Sequence, residues 1–181
     1  MIITVSGLPG SGTTTASELL SEKTGMKLIS SGEVFREMAK ERDMSLEKFG
    51  DYAEKNEEID KRLDERMIQK TKEGMILEGR LTGHLLDGAE KDAFKVWLKA
   101  PLDVRVDRIA DREKAKDRDK LKKRVVKRER SERKRYQDYY DIDLTDVTIY
   151  DMIVDSEKND PERIVEKIID GARDEICQGQ S

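Results

Sequence analysis

The nine residues GLPGSGTTT, Gly7 to Thr15, follow a short apolar run from Met1 to Val5 and lead into Ala16-Ser17-Glu18-Leu19-Leu20, a segment of helical character. Strand, glycine-rich loop and helix in this order are the context a phosphate-binding P-loop requires. Gly7 and Gly12 have the spacing of GxxxxGK[ST], and Thr14 stands at the Mg²⁺-binding hydroxyl position, but Thr13 replaces the lysine. Glycines let backbone amides converge on phosphate oxygens, and a helix N-terminus adds unpaired N–H groups and a positive dipole end. The loop Gly7, Leu8, Pro9, Gly10, Ser11, Gly12, Thr13, Thr14 and Thr15 is therefore expected to bind a nucleoside triphosphate without the lysine. Phosphoryl transfer, by contrast, is catalysed mainly by positioning and electrostatics and calls for cationic charge on the β- and γ-phosphates. That charge must come from elsewhere in the chain, or the loop binds nucleotide without turning it over.

The rest of the chain is read for what surrounds this loop. Short β-rich runs at Ile2 to Val5, Lys27 to Ile29, Met75 to Leu77, Phe94 to Leu98 and Met152 to Val154 alternate with helical patterns. Those patterns cover Thr14 to Lys23, Gly32 to Glu41, Leu46 to Asn56, Ile59 to Lys72, Leu102 to Arg112, Lys116 to Tyr139 and Pro161 to Ile176. Such alternation predicts an α/β fold, a five-stranded parallel sheet of P-loop NTPase type covered by helices. A chain of 181 residues is expected to form one domain that buries roughly 70% of its unfolded surface. Two segments exceed what a covering helix needs: 33–74, placed to hold a second substrate, and 106–149, placed to close as a lid, around a core of about 1–32, 75–105 and 150–181.

Charge separates these regions. Arg105 to Arg135 holds 16 Lys/Arg against 7 Asp/Glu, a net of +9, which leaves −13 for the remainder of a chain whose total is −4. The acidic remainder argues against general nucleic-acid binding. The longest apolar runs fall far short of the roughly 20 residues of a membrane span, and the start does not resemble a secretory signal, so a cytoplasmic monomer is expected. A lone cysteine, Cys177, excludes a disulfide framework and a cysteine metal cluster, and is expected to be a buried or incidental thiol. The lone His84 is expected to be packed or exposed rather than catalytic, since phosphoryl transfer needs no imidazole.

Beyond the loop, ISSGEVFR (Ile29 to Arg36), LEGRLTG (Leu77 to Gly83), APLDVRVDRIADRE (Ala100 to Glu113), RERSERKRY (Arg128 to Tyr136) and YYDIDLTDVTIYD (Tyr139 to Asp151) complete a pattern over nearly the whole chain. It resembles the nucleoside monophosphate kinases, most closely their archaeal-type cytidylate kinases, in which threonine often holds the P-loop lysine position. The resemblance implies ATP as phosphoryl donor, CMP as acceptor with dCMP beside it, and Mg²⁺ held by Thr14 and Glu78. It also implies that Arg36, with Ser31 and Gly32 at the start of its helix, and Arg80 grip the monophosphate. Asp60, Asp64 and Arg66 border the place of the acceptor base in this scheme and could read cytosine's Watson–Crick edge. They would equally make an ordinary charged helix with i,i+4 partners. Tyr136, Tyr139 and Tyr140 are placed either to stack on a nucleotide or to pack on the sheet.

For the missing charge, the arginines are the natural source. Arg108 and Arg112 are four apart and share a helix face, as do Arg128 and Arg135 two turns apart, so these four could close on the transferring phosphoryl group. The same run also reads as a solvated helix with acidic partners at Asp107, Asp111, Glu129 and Glu132. Two other activities fit less of the pattern: an adenylate-kinase-like or other small-acceptor kinase, and a nucleotide-binding, RNA-associated assembly factor with little turnover.

Overall fold

A computed structural model describes residues 1–178, apart from the side chains of Glu47 and of residues 176–178. The thiol of Cys177 thus lies outside the described residues. Five strands, β1 (Ile2–Gly7), β2 (Lys27–Ser30), β3 (Met75–Gly79), β4 (Ala93–Lys99) and β5 (Met152–Asp155), form one sheet in the order β2-β3-β1-β4-β5, every pair parallel. The helices are α1 (Thr13–Thr24), α2 (Ser31–Lys40), α3 (Leu46–Ala53), α4 (Glu57–Lys70), α5 (Thr82–Gly88), α6 (Leu102–Glu113), α7 (Arg118–Tyr140) and α8 (Pro161–Gln178). Among the described residues no helix is long and apolar enough to cross a membrane.

Parallel strands buried on both faces read as continuous apolar runs, and alternate residues along them point to opposite layers. Ile3, Val5 and Ile76 face one layer, packed with Ala16 and Leu20 of α1 and Ile164, Val165 and Ile168 of α8. Ile2, Ile29 and Leu77 face the other, where Val34 and Met38 of α2, Phe49 of α3, Met67 of α4 and Leu86 of α5 close a second core. A third, smaller cluster of Val106, Ile109, Leu121 and Val125 joins α6 to α7. The five strands and seven of the helices fall on the predicted segments, with no end shifted by more than three residues. Helix α5 is the exception, unforeseen because five of its seven residues, Thr82, Gly83, His84, Asp87 and Gly88, have weak helix propensity. Its sequence, TGHLLDG, becomes helical because Leu86 is fully buried in the second core.

From β1 the chain crosses to β2 on one side, and from β3 it crosses to β4 on the other. Reversal of direction in an open α/β sheet opens a crevice beyond the carboxyl ends of the strands involved. Here those ends are Gly7 of β1 and Gly79 of β3, held side by side through the pairing of Ser6 with Gly79.

Candidate active site

At the end of β1 the chain turns through Ser11 N–H donating to Leu8 O at 3.0 Å, and α1 begins from Gly12 with Ala16 N–H donating to Gly12 O at 3.0 Å. Gly10 (φ 83°) and Gly12 (φ 95°) lie in the left-handed region that glycine tolerates best. Gly10 is constrained twice, because a Cβ there would lie 2.5 Å from the carbonyl oxygen of Arg105. Gly12 caps α1 without a side-chain acceptor, and the first turn holds no acidic residue. The opening amides of the helix therefore remain available to an anion. Thr14 and Thr15 are exposed on that turn.

Directly across from the turn sits Glu78, 7% exposed. Its Oε1 accepts from Thr13 Oγ1 at 2.7 Å and from Thr14 Oγ1 at 3.4 Å, and its Oε2 accepts from Ser30 Oγ at 2.7 Å. Three hydroxyls from two elements hold one carboxylate, so the threonine in the lysine position meets an acid. The donor set of Thr14 and Glu78 is oxygen only, which suits Mg²⁺, a hard cation that takes few protein ligands and keeps several waters.

The arginines divide into two groups. Arg105, 4% exposed, donates from Nε to Ala100 O at 3.0 Å and from Nη1 to Pro9 O at 3.1 Å, and pairs with Glu129 of α7. Arg108 reaches the carbonyl oxygens of Gly10 and Ser11 at 3.4 and 3.3 Å, and Ser156 at its Oγ (3.0 Å) and O (2.6 Å). Ser156 Oγ in turn donates to Ser11 O at 2.7 Å. These guanidiniums brace the main chain of the loop. Arg112, predicted to share the face of Arg108, stays 68% exposed, 3.9 Å from Glu113. Four residues apart on one helix, they differ because Arg112 stands in the last turn, past the end of the loop.

On the other side of the crevice lie the remaining candidates. Ser31 and Gly32 open α2, and Arg36, exposed, has no ion-pair partner among the described residues. Its Nη1 comes within 3.7 Å of a Cβ built on Gly32, so it folds back toward the positive end of its own helix. Arg80 follows β3 and faces Glu132 of α7, with Nε 2.6 Å from Oε2, while Arg128 Nε donates to Glu132 Oε1 at 2.9 Å. Arg135 Nη1 lies 3.3 Å from Asp60 Oδ2, and Tyr140 Oη donates to Asp64 Oδ2 at 2.6 Å, so Asp60 and Asp64 both face α7. Burial pushes Asp64 up to about 7, against the lowering hydrogen bond from Tyr140 and with the help of nearby Asp60. Burial likewise raises Asp60, opposed by Arg135. Arg66 does not join them: it forms a two-pronged pair with Glu41, both bonds 2.7 Å, on another side of α4. Tyr139 stands edge-on to Tyr140 at 6.4 Å. His84 packs edge-on against Tyr150 at 5.9 Å, and burial lowers its pKa.

In the sequence Glu129 and Glu132 read only as solvated helix acids, and Ser30 and Ser156 have no assigned role. Glu132 and Glu129 carried a faint signal, each being an acid inside a basic run. Ser156 carried none beyond its place after the last strand.

Residues 2–158 match the model of the cytidylate kinase-like family. The chain belongs to that family. Curated relatives include a cytidylate kinase of Methanosarcina mazei, 54% identical over 160 residues that make up 87% of this chain and 88% of that one. Another, from Methanocaldococcus jannaschii, is 44% identical over 178 residues, 97% of this chain and 99% of its own. Among solved structures, a gluconokinase of Sinorhizobium meliloti superposes with a TM-score of 0.63 over 99% of this chain and 96% of that one, at 16% identity. A shikimate kinase of Aquifex aeolicus gives 0.54 at 23% identity, with 96% of each chain covered. At these identities the two structures speak for the fold alone.

Proposed function

We infer that this chain is a nucleoside monophosphate kinase that transfers the γ-phosphoryl group of ATP to CMP, giving ADP and CDP, with dCMP as a further acceptor. Family membership supports the acceptor class. The observation that carries the reaction type is the meeting of two differently built anion-directed edges at Glu78, P-loop amides on one side and Arg36 with Arg80 on the other.

The uncommitted backbone N–H groups between Gly7 and Thr15 hold the triphosphate, with Arg105 and Arg108 keeping the carbonyl oxygens of Pro9 and Ser11 turned away from it. Arg36 and Arg80 fix the monophosphate so that one of its oxygens attacks the γ-phosphorus in line. The bond from that phosphorus to the β-bridging oxygen breaks, and ADP leaves with the electron pair. An acceptor phosphate is largely ionised at neutral pH, so no protein base is required. Mg²⁺, when held by Thr14 and Glu78, would offset charge on the triphosphate oxygens. Arg128, Arg135 and the exposed Arg112 supply cations from the lid side, in place of a P-loop lysine. Arg108 contributes through the loop it braces. Asp60 and Asp64 are the candidates to read the base, with Arg66 a pair on the outer side of α4. Large apolar residues are exposed singly, at Leu46, Tyr52 and Ile153, which supports a monomer.

A coupled assay with ATP and each of CMP, dCMP, UMP, AMP and GMP tests this directly. CMP should give the highest kcat/KM; AMP exceeding CMP would make the enzyme adenylate-kinase-like, and turnover of none would overturn the kinase. The RNA-associated alternative is disfavoured by how the basic run spends its charge: Arg118 pairs with Asp103 and Asp107, Lys122 with Asp103, Arg124 with Glu113 and Arg105 with Glu129.

A further inference from the structure

Helix α7 buries only three residues, Leu121, Val125 and Glu132, and the third is a carboxylate. An acid 5% exposed is costly unless it is paired, and a buried pair is by itself weak evidence of a stabilising role. Its partners come from different parts of the fold. Arg128 is one helical turn away and engages Oε1, whereas Arg80 belongs to the end of β3 and engages Oε2. Both arginines present Nε to Glu132, and among the described residues neither guanidinium gives an Nη group to a carboxylate or carbonyl. Two donor forks are thus pinned on one carboxylate with their outer ends free.

The pinning is incomplete. Arg80 Nε and Glu132 Oε2 are in ion-pair contact, yet neither makes an aligned hydrogen bond. Close by, Asp60 Oδ2 is in ion-pair contact with Arg135 Nη1, and neither that oxygen nor Arg135 Nε makes an aligned hydrogen bond. Four buried polar atoms without an aligned partner gather at the junction of α4, α7 and the end of β3, in a fold where such groups are ordinarily satisfied. A doubly charged phosphate that accepts from the free Nη groups would draw the guanidiniums into a settled arrangement.

We propose that Glu132 is a positioning residue that yokes Arg80 to Arg128, so that grip on the acceptor phosphate and closure of α7 are one event. It acts through the arginines and touches no reacting atom. The proposal rests on Arg80 being a ligand of the acceptor phosphate. Charge alone makes the opposite forecast: Glu132 partly cancels two cations, so a mere neutraliser, once removed, would leave the acceptor bound more tightly.

The test is Glu132→Gln, alone and in an Arg80→Ala background, with KM and kcat measured separately for CMP and ATP. The single variant should lose tenfold or more in kcat/KM for CMP while KM for ATP stays within twofold. Added to Arg80→Ala, it should change kcat/KM by less than twofold, because the link from α7 to the acceptor phosphate is already broken. An effect within twofold in the native background, an equal tenfold cost in both backgrounds, or a lower KM for CMP at unchanged kcat would each overturn the proposal. Arg128→Gln removes the other half of the yoke from an exposed position and serves should Glu132→Gln fail to fold; it should raise KM for CMP by more than it raises KM for ATP, and an unchanged KM and kcat for CMP would overturn the yoke. Calorimetric binding of CMP to the same variants reads the yoke independently of turnover. A native enzyme that binds CMP in a Glu132-dependent way but never phosphorylates it would overturn the kinase assignment and leave the yoke standing.

Discussion

The two edges that meet at Glu78 solve the same problem, holding a polyanion, with different materials. The triphosphate edge is main chain: its glycines have the required conformations, and Arg105 and Arg108 each donate to carbonyl oxygens of the loop. The acceptor edge is side chain: Arg80, Arg128, Arg135, Asp60 and Glu132 form paired charges whose buried atoms are imperfectly aligned. A backbone cradle can be finished before its ligand arrives, because peptide groups need no counterion. A cluster of buried side-chain ions cannot, since each buried cation waiting for phosphate must meanwhile be neutralised by a carboxylate. The triphosphate edge should therefore respond to substitution as a rigid element, and the acceptor edge as one that rearranges.

The sharpest way to break this contrast is Arg80→Ala. It removes a guanidinium from the acceptor edge, and kcat/KM for CMP should fall about 10³-fold, roughly 4 kcal/mol of transition-state stabilisation, with ATP binding nearly unchanged. An equal loss of ATP affinity would show that the two edges are one site energetically. The complementary substitution, Arg105→Met, keeps the stem but frees Pro9 O and leaves Glu129 unpaired. Breaking a buried pair costs about 3 kcal/mol, so the melting temperature should drop by several degrees and KM for ATP should rise about tenfold while KM for CMP stays within twofold. A larger effect on CMP than on ATP would contradict the division of labour.

Thr13→Lys asks whether the triphosphate edge lacks anything. A lysine there would stand beside Glu78, whose Oε1 now accepts from Thr13 at 2.7 Å, and the ammonium would pair with that carboxylate. The expected gain in kcat is less than threefold, under ~0.7 kcal/mol, and the divalent-cation requirement should shift upward as Glu78 is drawn off. A tenfold gain would mean that the loop is short of charge and that the lid arginines do not make it up.

What could be read from the chain follows the same division. The P-loop was legible because it is local: its glycines, its strand and its helix are neighbours in sequence, as are the buried apolar runs that form the sheet. The acceptor edge was legible only as a set of residue types. The stretch Arg118 to Tyr140 reads as a solvated charged helix, and nothing in its period separates Glu132, buried, from Arg128, 62% exposed. Burial there is decided by Arg80, fifty-two positions earlier. Periodicity likewise put Arg108 and Arg112 on one face, but a shared face does not fix distance along the axis, and only Arg108 comes level with the loop. Helix α5 escaped notice because tertiary burial of Leu86 overrides a sequence with little preference for helix.

The smallest expected effect concerns pH, and it sharpens the contrast by locating titration on the acceptor edge. Asp64, whose ordinary value is near 3.8, is raised to about 7 in the folded chain, mainly by burial. Between about pH 4 and 7 the folded protein therefore keeps a proton that the unfolded chain has released. A group raised in this sense contributes stability that is fully present below its unfolded value and is lost as pH climbs through its folded value. Asp64→Asn stays neutral throughout and still offers an oxygen to Tyr140 Oη. Melting curves from pH 5 to 8 should then show the native protein losing stability with rising pH relative to Asp64→Asn, by at most a few degrees. His84, lowered by burial, contributes in the opposite direction, and Asp60, raised, in the same one, but both remain in the variant and largely cancel in the difference. Curves that run parallel across this range would mean that Asp64 is ionised at pH 5. The α4–α7 junction would then hold a full negative charge opposite Tyr140, and the acceptor edge would be less tightly closed than its buried ion pairs imply.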